Sequence, residues 1–139
     1  MNMSNELIIE ASLENMGLMM DFLEERLSGC PQKTINQIHI AADEIFSNIA
    51  RYAYPQSQKP GLALVRITSY KDGISMEFED SGAAFDPLSA KESDTALPAD
   101  KREIGGYGIF IVKKIMDSVE YRREGDRNIL RVLKKVARE

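Results

Sequence analysis

Three short clusters in this chain hold residue types suited to a phosphorylated ligand: Glu44 with Asn48, Asp80 with Gly82, and Gly105, Gly106 and Gly108. Glu44 and Asn48 stand four positions apart, about one helical turn, so a carboxylate and an amide oxygen can serve the same polar group. The amide is a neutral oxygen donor for Mg²⁺, and the carboxylate is a proton acceptor. Arg51, the next position on that side, would add a phosphate contact. Asp80 ends an alternating run and would accept a hydrogen bond from an exocyclic amine, with Gly82 leaving space for a flat ring. The glycines lie where a polar loop meets the apolar run Ile109-Phe110-Ile111-Val112, a junction that aims free N–H groups and the helix dipole at an anion. Each cluster also has a plain structural account: a solvated helix face, a turn residue at a strand end, and a glycine turn. Taken singly, none decides between the two.

The elements that must position these residues follow from periodicity. Leu7-Ile8-Ile9 reads as a strand, and Leu13, Met16, Met20, Leu23 and Leu27 recur at helical spacing before Ser28-Gly29. A second helix starts near Pro31 and runs to about Tyr52, stopped by Pro55; Ile35, Ile38, Ala42, Ile45, Ile49 and Ala53 form its apolar stripe. Glu44 and Asn48 fall on the other side, where the small Ala41 and Ser47 would leave room for a ligand. Leu62–Thr68 and Ile74–Glu79 read as a hairpin around Lys71-Asp72-Gly73, and Ser118–Arg122 and Asn128–Leu133 as another around Glu124-Gly125-Asp126. The stretch 86–104 is too long and aperiodic for an ordinary connection and is expected to be a functional loop or lid. Three helices and four or five strands predict an α+β two-layer sandwich, a mixed, mostly antiparallel sheet covered by helices on one face.

Composition narrows the class. With 139 residues, 43% of them hydrophobic, the chain is expected to form one domain over 1–139. Its 18 basic and 22 acidic residues give a net charge of -4 with no basic tract, which disfavours nucleic acid as a direct partner. No apolar run approaches bilayer length, and the start Met1-Asn2-Met3-Ser4-Asn5-Glu6 lacks the basic residues of a secretory signal. A cytoplasmic chain without membrane contact is expected. One cysteine, Cys30, and one histidine, His39, rule out an internal disulfide and the usual Cys/His zinc site.

In their order, the clusters resemble the N box and the two glycine boxes of the GHKL ATPases, a superfamily that includes gyrase, histidine kinases and mismatch-repair ATPases. The resemblance is carried by Asp43 through Pro55, by Asp80-Ser81-Gly82-Ala83-Ala84-Phe85-Asp86-Pro87, and by Gly105 through Asp117 with Tyr121-Arg122-Arg123 after it. Within that superfamily the chain looks most like the small bacterial anti-sigma factor serine/threonine kinases. Tyr107 departs from this group, where leucine is commoner, and the lid is short.

The resemblance implies an ATP- and Mg²⁺-dependent kinase. Asn48 would ligate the Mg²⁺ bridging the ATP phosphates, Asp80 would bind the adenine amine, and Gly82 would shape the adenine pocket. Gly105, Gly106 and Gly108 would hold the phosphates and hinge the lid, Arg51, Lys101 and Arg102 would face phosphate charge, and Glu44 would accept the substrate's hydroxyl proton. The implied substrate is a small anti-anti-sigma protein of the STAS type, with a sigma factor controlled by partner switching and a homodimer as the possible assembly. The alternative is a nucleotide-gated protein-binding module of the same fold that performs no transfer. A histidine kinase is disfavoured, because His39 lies near the apolar stripe with no separate helical hairpin to carry a phosphoacceptor.

Overall fold

The computed structural model describes residues 5–54, 61–84, 86, 88 and 104–136, with 104–108 described by backbone alone. In chain order the elements are β1 (Glu6–Glu10), a 3-10 turn (Leu13–Asn15), α1 (Met16–Arg26), α2 (Gln32–Asn48) and a turn of π-helix (Ile49–Ala53). They continue with β2 (Leu62–Tyr70), β3 (Gly73–Asp80), α3 (Ile104–Ile115), β4 (Ser118–Glu124) and β5 (Arg127–Lys135). Lys101, Arg102 and most of the expected lid at 86–104 lie outside the described residues.

The five strands form one sheet in the order β1-β2-β3-β5-β4, antiparallel at every pairing. The expected α+β sandwich is thus present, with a sheet wholly antiparallel among the described residues. Both hairpins form, the second around Gly125, whose φ of 58° is the left-handed conformation a tight hairpin loop favours.

Alternation along the strands separates two faces. Val65, Ile67, Met76, Phe78, Leu130 and Val132 join Leu23, Ile38, Phe46 and Val112 from the helices in one core. Each such large side chain contributes about 1.5–3 kcal/mol when fully buried. The other face carries Arg66 bonded to Glu6 (3.2 Å) and Glu77 (3.4 Å), Arg122 to Glu77 (3.1 Å), and Arg127 to Glu79 (3.1 Å).

Helix α2 is covered on more than one side, because α1 and α3 both pack on it. Ala41 and Ser47 are therefore buried against protein, and the Ser47 hydroxyl donates to Asp43 Oδ1 at 3.0 Å. Their small size serves helix packing, where the spacing alone pointed to ligand space. His39 is half-buried, and its Nε2 has no hydrogen-bond partner among the described residues. Among the described residues no helix is long and apolar enough to cross a membrane.

Candidate functional site

A cavity of about 270 Å³ opens between the C-terminal end of α2 and the ends of β3 and β5. Ile45, Ile49, Phe78, Ile109 and Leu130 make its walls apolar, and Asn48, Asp80 and Asn128 supply polar groups. An apolar slot with a few converging polar atoms is the usual form of a small-molecule site. Tyr52 and Ala53 reach the lining because α2 runs on into the π turn, a distortion that recurs at functional sites.

Asp80 is buried, at 9% exposure, and its environment is one-sided. Oδ1 accepts from the Gly82 N–H at 2.9 Å and from Asn128 Nδ2 at 2.9 Å. No donor reaches Oδ2 among the described residues, so that oxygen is left to accept from a ligand. The sheet register brings this about: β3 lies between β2 and β5, and Asp80 pairs with Ala63 on one side and Asn128 on the other. Opposite residues in antiparallel strands hold their Cβ atoms about 4.5–5.5 Å apart on the same face.

The loop after Asp80 is tied from two directions. The Tyr54 hydroxyl accepts from Ser81 N at 2.8 Å and donates to Leu62 O at 2.6 Å. Burial raises the Tyr54 pKa, the Ser81 N–H partly offsets this, and the nearby Asp80 charge adds to the rise. From the other side Arg123 Nη1 donates to Gly82 O at 2.8 Å, and Asn128 Nδ2 donates to Ala83 O at 2.9 Å. Gly82 itself is pressed against the end of α2's π turn: a Cβ there would collide with the Ala53 carbonyl. Its lack of a side chain answers a close approach of backbone, where the sequence pointed to room for a ring.

The other expected residues are partly gathered. Asn48 lines the cavity at the flank of the apolar stripe rather than opposite it, and Glu44 stands one turn earlier, half-buried and outside the lining. Arg51 is half-buried in the π turn, also outside the lining, and no carboxylate pairs with it among the described residues. Gly105, Gly106 and Gly108 fall within the first two turns of α3, which begins at Ile104, instead of in a loop ahead of it. Unpaired N–H groups at the start of α3 thus come from this glycine-rich turn. The residue that sequence reasoning missed is Asn128. Its signal was the alternation Asn128, Leu130, Val132, which sets a polar side chain on the core face of a strand.

One residue of the lining, Asn48, is of the type that can contribute a neutral oxygen to Mg²⁺. Mg²⁺ keeps several waters and takes one or two protein oxygens beside phosphate oxygens, and the Asn48 amide offers one such oxygen at the cavity wall.

The model of the histidine kinase-like ATPase domain matches residues 9–134. The serine-protein kinase RsbW of Listeria monocytogenes is 28% identical over 103 residues, which span 70% of this chain and 65% of that relative's length. The serine-protein kinase RsbW of Halalkalibacterium halodurans is 29% identical over 126 residues, spanning 86% of this chain and 75% of the relative. Among solved structures, the RsbU and RsbW domains of a Mycobacterium tuberculosis protein align over 96% of this chain and 33% of theirs, with a TM-score of 0.63 at 13% identity. That likeness is one of fold.

Proposed function

The chain belongs to the family of histidine kinase-like ATPase domains, and within it we propose an ATP-dependent protein serine/threonine kinase that acts as an anti-sigma regulator. The observation that carries the nucleotide reading is the meeting of Asp80 and Asn48 in one apolar cavity. The names of the relatives, serine-protein kinase in each case, support the choice of acceptor. We take the whole chain as one such domain with its lid at 86–104.

In this reading adenine enters between Ile49, Phe78, Ile109 and Leu130, and its amine donates to Asp80 Oδ2. The triphosphate extends past Asn48 toward the first two turns of α3, where the backbone of Gly105, Gly106 and Gly108 meets it; Arg51 is assigned to the phosphate charge, and so are Lys101 and Arg102, which lie outside the described residues. Asn48 would hold Mg²⁺, which supplies charge neutralisation on the phosphates. Glu44, one turn before Asn48, orients the acceptor hydroxyl. The hydroxyl oxygen attacks the γ-phosphorus, the bond from phosphorus to the bridging oxygen breaks, ADP leaves, and the proton passes to Glu44. Such transfer rests chiefly on positioning and charge neutralisation, which asks of the protein an aligned base and groups that hold the phosphates.

The acceptor is a serine or threonine of a small anti-anti-sigma protein of the STAS type, and the regulated partner is a sigma factor. Mixing the protein with Mg-ATP and such a protein should move phosphate onto serine or threonine. If ATP binds and nothing is transferred, the protein is a nucleotide-gated binding module instead.

A further inference from the structure

We propose that Asn128 is the positioning residue that gives this site its choice of base, an inference that rests on the adenine-nucleotide reading above. Hydrogen bonds at both ends of its amide define its orientation. Nδ2 donates to Asp80 Oδ1 and to Ala83 O, both at 2.9 Å, while Oδ1 accepts from the Tyr121 hydroxyl at 2.6 Å and from Arg123 Nη1 at 3.2 Å. Turning the amide over would face its oxygen to a carboxylate and a carbonyl and its NH₂ to the Arg123 guanidinium, which cannot accept, so the network allows one orientation only.

This orientation has a consequence at Asp80. With Oδ1 saturated by Asn128 and by the Gly82 N–H, the carboxylate cannot swing without losing two charge-assisted bonds. Oδ2 is held toward the cavity as a bare acceptor. A purine with an amine at position 6 satisfies it, whereas a purine with a carbonyl there sets oxygen against oxygen. Asn128 also ties Ala83, itself part of the cavity lining, to the same network. Carboxylate and loop are thereby set before any nucleotide arrives.

The isosteric Asn128→Asp tests this. Its outer oxygen keeps the bonds from Tyr121 and Arg123, but the oxygen facing Asp80 must carry a proton to replace the N–H aimed there, and the bond to Ala83 O is lost at every pH. Raising pH removes that proton and leaves two carboxylates in contact. ATP affinity of Asn128→Asp should therefore fall by roughly tenfold to a hundredfold as pH rises through the range where the shared proton is lost, while wild type stays level. Asn128→Ala should narrow the preference for ATP over GTP by a similar factor. Calorimetric titration of both nucleotides at several pH values reads both effects. Wild-type affinity and preference in both variants would overturn the inference, and so would an equal, pH-independent loss for ATP and GTP, which marks a purely structural role. If wild type itself binds no ATP, or Asp80→Asn binds it unchanged, the nucleotide reading fails instead.

Discussion

The carbonyl of Ala53 occupies the place where a Cβ on Gly82 would stand, so the end of α2's π turn and the loop after β3 meet backbone to backbone. Gly82→Ala should destabilise the fold by about 1–3 kcal/mol, the range for overpacking, because the obstacle is main chain and cannot rotate away. Urea denaturation measures it. Wild-type stability would mean that the two segments part easily.

Asp80→Asn keeps one oxygen for Gly82 N and Asn128 but turns the cavity-facing atom into a donor. ATP affinity should drop roughly tenfold to a hundredfold with the melting temperature little changed. A titration beside a thermal melt separates the two effects.

Glu44 and Asn48 divide the chemistry between them in the proposed reaction. Glu44→Gln should leave ATP affinity near wild type and slow phosphoryl transfer by about 10²–10⁴-fold, the usual weight of a general base. Asn48→Ala should weaken Mg-ATP binding itself. Transfer at the wild-type rate in Glu44→Gln would remove the base assignment.

Tyr54 joins β2 to the loop after β3 through Leu62 O and Ser81 N. Tyr54→Phe leaves both groups to water and should cost about 0.5–1.5 kcal/mol. Since its pKa in the folded state is raised, chiefly by burial, the folded protein holds this proton more tightly than the unfolded chain. The contribution is fully present below the ordinary tyrosine value of about 10 and is lost as pH rises through the raised value. Alkaline melts of wild type and Tyr54→Phe should therefore converge, and the phenolate absorbance of wild type should show one tyrosine titrating late.

Much of this architecture was legible in the chain itself. Stripes such as Ile38, Ala42, Ile45 and Ile49, and alternations such as Ile74, Met76 and Phe78, state which face is apolar, and hairpin turns state which strands are neighbours. Asn48, Asp80 and the glycines could be singled out because each sits at an element's end, where local spacing carries meaning. Glycine at position 82 was visible too, but its reason was not: Ala53 lies 29 positions away, and only packing brings the two together.

What tertiary structure alone decided is the company each polar group keeps. Asn128 stands opposite Asp80 because β5 pairs with β3 in one register, and a slip of one residue would turn its side chain to the other face. That register is set by burying Leu130 and Val132 beside Phe78 and Met76, a sum over many contacts that no local pattern contains. Likewise Ala41 and Ser47 read as ligand space until α1 and α3 closed over the helix. The sequence by itself determined the elements and the residues able to do chemistry, because those depend on near neighbours in the chain. Their hydrogen-bond partners depended on which distant strand and helix the core drew together.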